Sequence, residues 1–146
     1  MIKIQEVKEE NFKDVVALWN QEYDWLTTSK IKISIDKFRK WHTSRKKSGY
    51  AYYIVKYNNN FAGLLFLQRK EKQFLIKALA IKNRYRKYGI GKALVEKAKI
   101  LSKKMNLSLR TEILLNNIDT INWFFDNGFN IIKFRKRTSD YLMGYN

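Results

Sequence analysis

The residues best suited to chemistry stand in one basic turn, Ile81-Lys-Asn-Arg-Tyr-Arg86-Lys87-Tyr88-Gly89-Ile90-Gly91-Lys92-Ala-Leu94, which joins an apolar run to an amphipathic helix. The first N–H groups of such a helix have no intrahelical acceptor, and the helix dipole puts partial positive charge there. A phosphate supplies the missing acceptor. Gly89 and Gly91 remove side chains that would hold a pyrophosphate off those amides, while Arg84, Arg86, Lys87 and Lys92 surround it with charge. The spacing Arg86-x-x-Gly89-x-Gly91 is neither the three-glycine dinucleotide pattern nor the longer loop ending in Gly-Lys-Ser/Thr.

Other chemistries lack their parts. The chain has no cysteine, which excludes a disulfide framework, a cysteine nucleophile and thiolate metal sites. His42 is the only histidine, too few for a zinc site or a Ser-His-Asp triad, so no metal is expected. No apolar stretch reaches the length of a membrane span, and the N-terminus lacks the features of a signal peptide, so a cytoplasmic protein without membrane contact is expected. The net charge of +17 suits polyanions, RNA among them. Against an evolved nucleic-acid surface, the cations are dispersed along the chain and are 22 Lys to 8 Arg, although arginine is the better bidentate phosphate reader. Bias in composition explains that pattern equally well.

The elements that must position this turn can be read along the 146 residues, which suffice for one domain spanning 1–146. Ile2 to Val7 alternates as a strand. Asn11 opens a helix whose face is Phe12, Val15, Val16, Trp19 and Tyr23, and Ser34 caps a second helix with Ile35, Phe38 and Trp41, ending near Ser48-Gly49. Glu22 to Ile33 reads as a connection able to line a pocket. Tyr50 to Tyr57 and Phe61 to Gln68 form a hairpin about Asn58-Asn59-Asn60, and Phe74 to Ile81 is a strand covered on both faces. A helix from Ile90 to Met105 presents Gly91, Leu94, Ala98, Leu101 and Met105 on one face. A strand (Leu107 to Leu115), a short helix (Asn117 to Asn127) and a closing pair (Phe129 to Arg137, Ser139 to Tyr145) complete the order. The fold class is α/β: a mixed, mostly antiparallel seven-stranded sheet with four helices on its two faces. The final strand reads as exposed, open to a second copy, so monomer and homodimer both stand.

The turn Arg86-x-x-Gly89-x-Gly91 resembles the coenzyme A pyrophosphate loop of the GCN5-related N-acetyltransferases, and the order of elements is similar throughout. A second motif strengthens the likeness: Glu112, five residues, Asn117, then Thr120-Ile121 and Gly128-Phe129. The resemblance implies acetyl transfer from acetyl-CoA, as co-substrate, to a primary amine by direct attack. The acceptor stays open among a protein, a small molecule and an aminoacyl-tRNA, with the charge disfavouring polyamines. It also implies that the main chain of Leu79, Ala80 and Ile81 pairs with the pantetheine arm. The loop from Arg86 through Lys87, Tyr88, Gly89, Ile90 and Gly91 to Lys92 would hold the phosphates, and Asn117 would cap its helix and contact the arm.

Two readings of Glu112 stand: the base that relieves the amine of its proton through water, or one partner of a surface ion pair. Phe124 occupies the position where many members of the family carry the tyrosine that protonates the departing thiolate. Phenylalanine has no proton to give, so Tyr141 and Tyr88 are substitutes, and a coenzyme A binding module without turnover is the alternative function. Glu22, Tyr23, Asp24 and Trp25 are the candidate acceptor contacts. Trp19, Trp41 and Trp123 fall at helical core spacing and read as structural.

Overall fold

A computed structural model describes residues 1–26 and 30–145. Its strands and helices alternate in the order β1 (Ile2–Glu6), α1 (Phe12–Leu26), α2 (Ile35–Ser44), β2 (Tyr50–Tyr57), β3 (Asn60–Lys70), β4 (Gln73–Ile81), α3 (Ile90–Lys104), β5 (Ser108–Leu114), α4 (Ile118–Asp126), β6 (Phe129–Arg135) and β7 (Asp140–Tyr145). The strands form one sheet in the order β1-β2-β3-β4-β5-β7-β6. Only the β4–β5 pair is parallel among the described residues.

Local chemistry accounts for most boundaries. Ser34 accepts a hydrogen bond from the Lys37 N–H and so caps α2, as its sequence position suggests. Asn58 and Asn59 both take positive φ, 49° and 68°, the left-handed pair that closes a tight hairpin between β2 and β3. Asn11 is not a forward cap: its side chain accepts from the Lys8 N–H, closing a 3₁₀ turn that runs on into α1.

The sheet separates two cores. On one face α1 and α2 bury Val15, Trp19 and Phe38 against Ile54, Leu64, Phe66, Ala78 and Ala80. On the other, α3 and α4 bury Ile90, Leu94, Ala98, Ile121 and Phe124 against Val55, Leu65, Leu67 and Phe129. The buried stripe of α3 is Ile90, Leu94, Val95, Ala98 and Ser102, one residue off the expected line through Leu101 and Met105, which are only half-buried.

Two expectations are corrected. Glu22, Tyr23, Asp24 and Trp25 lie on the last turns of α1, which runs to Leu26; Trp19 and Asn20 extend the helix's packing by holding the following segment through the Ile31 and Ile33 carbonyls at 2.7 and 2.8 Å. Thr27 to Ser29 of the expected connection lie outside the described residues. Nor is the final strand an edge. β7 inserts between β5 and β6, so the free edge belongs to β6. Inserting β7 gives β5 an antiparallel partner along Leu109 to Leu114, whereas β6, antiparallel to β7 and so parallel to β5, pairs with β7.

Candidate active site

β4 and β5 pair in parallel only from Gln73–Ser108 to Ile76–Thr111. Beyond that point they part. β4 stays bonded to β3 as far as Ile81, and β5 to β7 as far as Leu114, so a wedge opens inside the sheet. A bulge marks its apex: the β3–β4 register steps from Leu67–Ile76 to Phe66–Ala78, leaving Lys77 without a partner. The Thr111 hydroxyl, 3.3 Å from the Ile76 carbonyl, closes the paired end.

Main-chain groups line one wall of the wedge. Lys82 donates to the Ala62 carbonyl at 2.8 Å, so the strand's alternation directs Ala80 toward β3 and Leu79 and Ile81 toward the opening. Ala80 therefore does not offer the edge expected of it. The Arg86 guanidinium reaches back into the wedge, its Nε 3.0 Å from the Ile81 carbonyl and its Nη2 2.7 Å from buried Glu22. Glu22 also accepts from Trp25 Nε1 at 2.7 Å, which ties the end of α1 to the basic turn.

At the start of α3, Gly89 takes φ 73°, ψ 17°, a left-handed conformation that favours glycine, and no side chain caps the helix. The first helical bond is Ala93 N–H to the Gly89 carbonyl, so the amides of Ile90, Gly91 and Lys92 have no intrahelical acceptor. A Cβ on Gly89 would meet nothing within 4 Å, leaving those amides approachable. Gly91 serves a different end: a Cβ there would stand 3.1 Å from the Trp123 ring, so it sets how closely α3 and α4 pack.

Glu112 sits at the apex, its carboxylate shared by Lys77 at 3.4 Å and Arg135. Arg135 in turn grips the fully buried Asp140 at 2.5 and 2.7 Å, and Thr138 donates to the same carboxylate at 2.8 Å. Burial by itself would raise the Asp140 carboxyl, but the hydrogen bonds from Arg135 and Thr138 with the nearby positive charge outweigh it and hold the group below its ordinary value. The Arg135 guanidinium is pushed the other way, above its ordinary value, first by its hydrogen bond to Asp140.

Two cavities meet at this apex, both lined by Ile76, Lys77 and Glu112. The first, about 320 Å³, runs from the wedge past Gly91 and Lys92 to Asn117, Trp123 and Phe124, with Trp25 and Leu26 at its side. The second, about 270 Å³, opens on the α1–α2 face and is walled by Trp19, Trp41, Tyr50, Tyr52 and Phe66 with Arg45. The two cavities thus share one wall at the point where β4 and β5 part.

Of the residues picked out from the sequence, Leu79, Ile81, Arg86, Gly91, Lys92, Glu112, Asn117, Phe124 and Trp25 converge on the first cavity. Asn117 stands at the N-cap position of α4 without a side-chain capping bond; its Nδ2 lies 3.5 Å from the Trp25 carbonyl instead. Lys87, Tyr88, Ile90, Tyr141, Tyr23 and Asp24 line neither cavity. Tyr88 stacks on Tyr57 with ring centroids 4.8 Å apart, the Ile90 side chain is fully buried, and Tyr141 packs edge-on to Phe134 at 5.9 Å. Tyr23 meets Lys32 over its ring, and Asp24 is exposed.

Sequence reasoning missed Lys77, Arg135, Asp140 and the whole second cavity. Lys77 had a signal, as the one charge inside the apolar run Phe74 to Ile81. The paired aromatics Tyr50 and Tyr52 had none, because alternation in a strand marks a buried face without saying whether the space over it is filled.

A sheet split between its fourth and fifth strands, with an uncapped glycine turn leading from the fourth into a helix, is the architecture of a known family of group-transfer enzymes. The chain belongs to the acetyltransferase (GNAT) family, whose model matches residues 5–129. Among solved structures, it is similar to the PaiA N-acetyltransferase of Thermoplasma acidophilum, crystallised with coenzyme A, at 19% identity and a TM-score of 0.77 over 100% of this chain and 99% of that one. A domain from Methanocaldococcus jannaschii superposes with a TM-score of 0.84 at 19% identity, covering 100% and 98%. A GNAT-family acetyltransferase from Staphylococcus aureus Mu50 gives 0.72 at 21%, covering 100% and 99%. At these identities the likeness is one of fold. No curated protein matches the chain.

Proposed function

We propose that the protein transfers the acetyl group of acetyl-CoA to a primary amine, with the two substrates entering from opposite faces of the sheet. The observation that carries this reading is that the two cavities share Ile76, Lys77 and Glu112 at the point where β4 and β5 part. A thioester and an amine must come within bonding reach, and the apex is where two separate chambers allow it.

The residues of the first cavity fit coenzyme A. The uncapped amides of Gly91 and Lys92, with that of Ile90 just beyond the lining, suit its pyrophosphate, the unpaired edges of Leu79 and Ile81 suit the amide-bearing pantetheine arm, and Trp123 and Phe124 give that arm an apolar wall. The likeness to an N-acetyltransferase crystallised with coenzyme A supports the same assignment. Arg86 now occupies the Ile81 carbonyl, so the arm displaces that contact when it binds and Arg86 turns toward phosphate.

In the transfer the amine nitrogen bonds to the acetyl carbon as the carbon–sulfur bond breaks. The acceptor amine, an ammonium at neutral pH, loses two protons and the thiolate takes one, so each transfer releases one proton to solvent. Glu112 receives the amine's proton through water, because its carboxylate faces both chambers. Lys77 and Arg135 orient that carboxylate. Phe124 supplies no proton and Tyr141 lies outside both chambers, so the thiolate is protonated from solvent or by the proton the amine released. That missing donor also favours a second reading, a coenzyme A binding module that does not turn over.

The test is transfer of labelled acetyl from acetyl-CoA into a host-cell extract separated into protein, RNA and small-molecule fractions, with Gly89→Glu as control. Label in one fraction, lost in the variant, supports the enzyme and gives its acceptor class. Binding of coenzyme A without label in any fraction supports the module.

A further inference from the structure

The second cavity carries more information than the position of an acceptor. Its walls are aromatic and mutually braced: Trp19 stacks on Phe66 and meets Trp41 edge-on, both with centroids 5.6 Å apart, and Tyr50 stacks on Tyr52 at 6.1 Å. Trp19 is also fixed through its indole N–H to the Ile31 carbonyl, at 2.7 Å. Such a chamber is rigid before any ligand arrives and matches a flat apolar body.

Its charge is as specific as its shape. Arg45 lies over Trp41 and Tyr50, its guanidinium carbon 4.3 and 5.3 Å from the two ring centroids, and no carboxylate pairs with it among the described residues. Lys77 is the second cation of the lining, and Glu112, the only carboxylate there, is already shared between Lys77 and Arg135. An aromatic chamber of this kind would ordinarily suggest a cationic guest. Here Arg45 itself occupies the faces of Trp41 and Tyr50 and repels a second cation. A planar guanidinium held by stacking, with no carboxylate partner among the described residues, instead recognises a carboxylate through paired hydrogen bonds. The volume, about 270 Å³, falls just under the roughly 300–1,000 Å³ of pockets for drug-sized ligands, so the guest is small.

We propose that the acceptor is a small amine carrying both an aromatic body and a carboxylate, the class of the free aromatic amino acids, with Arg45 holding the carboxylate. The proposal deepens the acetyltransferase reading and rests on it for the fate of the amine, but the preference for an acid over its uncharged analogue is a property of the chamber alone. Lys77 and Arg45 disfavour diamines and polyamines, which bring positive charge where the chamber already has it.

The experiment compares L-phenylalanine and L-tryptophan with their amides, with phenethylamine and tryptamine, which lack the carboxylate, and with putrescine. Two readouts are taken: quenching of intrinsic tryptophan fluorescence on titration, and release of free thiol from acetyl-CoA. The free acids are expected to bind and react about tenfold to a hundredfold better than the amides or decarboxylated amines, the range of one charge-assisted hydrogen-bonded contact. In Arg45→Met that preference should fall to about twofold or less, the acids losing their contact and the decarboxylated amines gaining as the repulsion from Arg45 is removed, and Arg45→Lys, which keeps the charge without the fork, should fall between.

Quenching by the acids without thiol release would support the chamber's specificity and count against acetyl transfer. Equal or better use of the decarboxylated amines or putrescine would overturn the proposal. So would failure of the acids to quench while labelled acetyl enters a protein or RNA fraction, an outcome that leaves the acetyltransferase reading intact.

Discussion

Replacing Gly89 by alanine and by glutamate separates backbone strain from charge at the start of α3. Both substitutions force a side chain onto a residue at φ 73°, which costs about 1–2 kcal/mol for an L-residue in the left-handed region. Neither is penalised sterically at Cβ, because nothing lies within 4 Å of that position. Gly89→Ala and Gly89→Glu should therefore melt together, below the wild type. Their affinity for coenzyme A should differ. A carboxylate about 6 Å from one phosphate charge is repelled by roughly 0.7 kcal/mol at the dielectric of water and roughly 3 kcal/mol at an effective value of 20. Two pyrophosphate charges double this, to about 1.4–6 kcal/mol, of which salt removes part because the turn is exposed. Titration calorimetry with coenzyme A at low salt should find Gly89→Ala within about threefold of wild type and Gly89→Glu weaker by at least tenfold, a gap that narrows as salt is added. Equal affinities for the two variants would refute the argument that the amides of Ile90, Gly91 and Lys92 hold the pyrophosphate.

Glu112→Gln should lower kcat/KM by about a hundredfold, within the range of general-base catalysis, while changing stability by only about 1 kcal/mol, since Arg135 keeps Asp140. Unchanged turnover across the pH range would remove Glu112 as the proton acceptor. Asp140→Asn should destabilise the fold by about 1–3 kcal/mol at neutral pH, because it removes the charge of a buried carboxylate that accepts hydrogen bonds from Arg135 and Thr138. The sign of the pH dependence follows from the depressed Asp140 carboxyl: its contribution is complete above the ordinary value of 3.8 and is lost as pH falls below it. Denaturant midpoints of wild type and variant should thus converge in acid; a constant gap down to the lowest pH would contradict this. Gly63→Ala should cost about 2–3 kcal/mol, since its Cβ would lie 2.6 Å from the Ala80 carbonyl oxygen in the adjacent strand, and the melting temperature should fall by about 6–12 °C. Melting within a degree of wild type would mean that β3 and β4 can separate locally.

Much of the fold was legible because its signals are local. Ser34 before the apolar periodicity of α2 announced a cap, Asn58-Asn59-Asn60 announced a hairpin turn, and the basic Gly89-x-Gly91 turn announced a helix start with free amides. Each depends on a few neighbouring residues, whose conformational preferences survive without the rest of the chain. The boundary of α1 was misread for the opposite reason. Tyr23 to Leu26 is polar and aromatic enough to pass for a loop, and what keeps it helical includes a contact from Glu22 to Arg86, 64 residues away.

The sequence by itself determined the family, the order of elements and the phosphate-suited turn, all of which are written in short-range spacing. Only the tertiary structure decided what surrounds Glu112: Lys77 from β4, Arg135 from β6 and Asp140 from β7 meet it because β7 inserts between β5 and β6 and because β4 and β5 part after Ile76. It also decided that Trp19, Trp41, Tyr50, Tyr52 and Phe66, which share the periodicity of ordinary core residues and pack into that core, wall a chamber at its edge as well. Periodicity records which way a side chain points, whereas an empty volume exists only once distant segments have packed and left it.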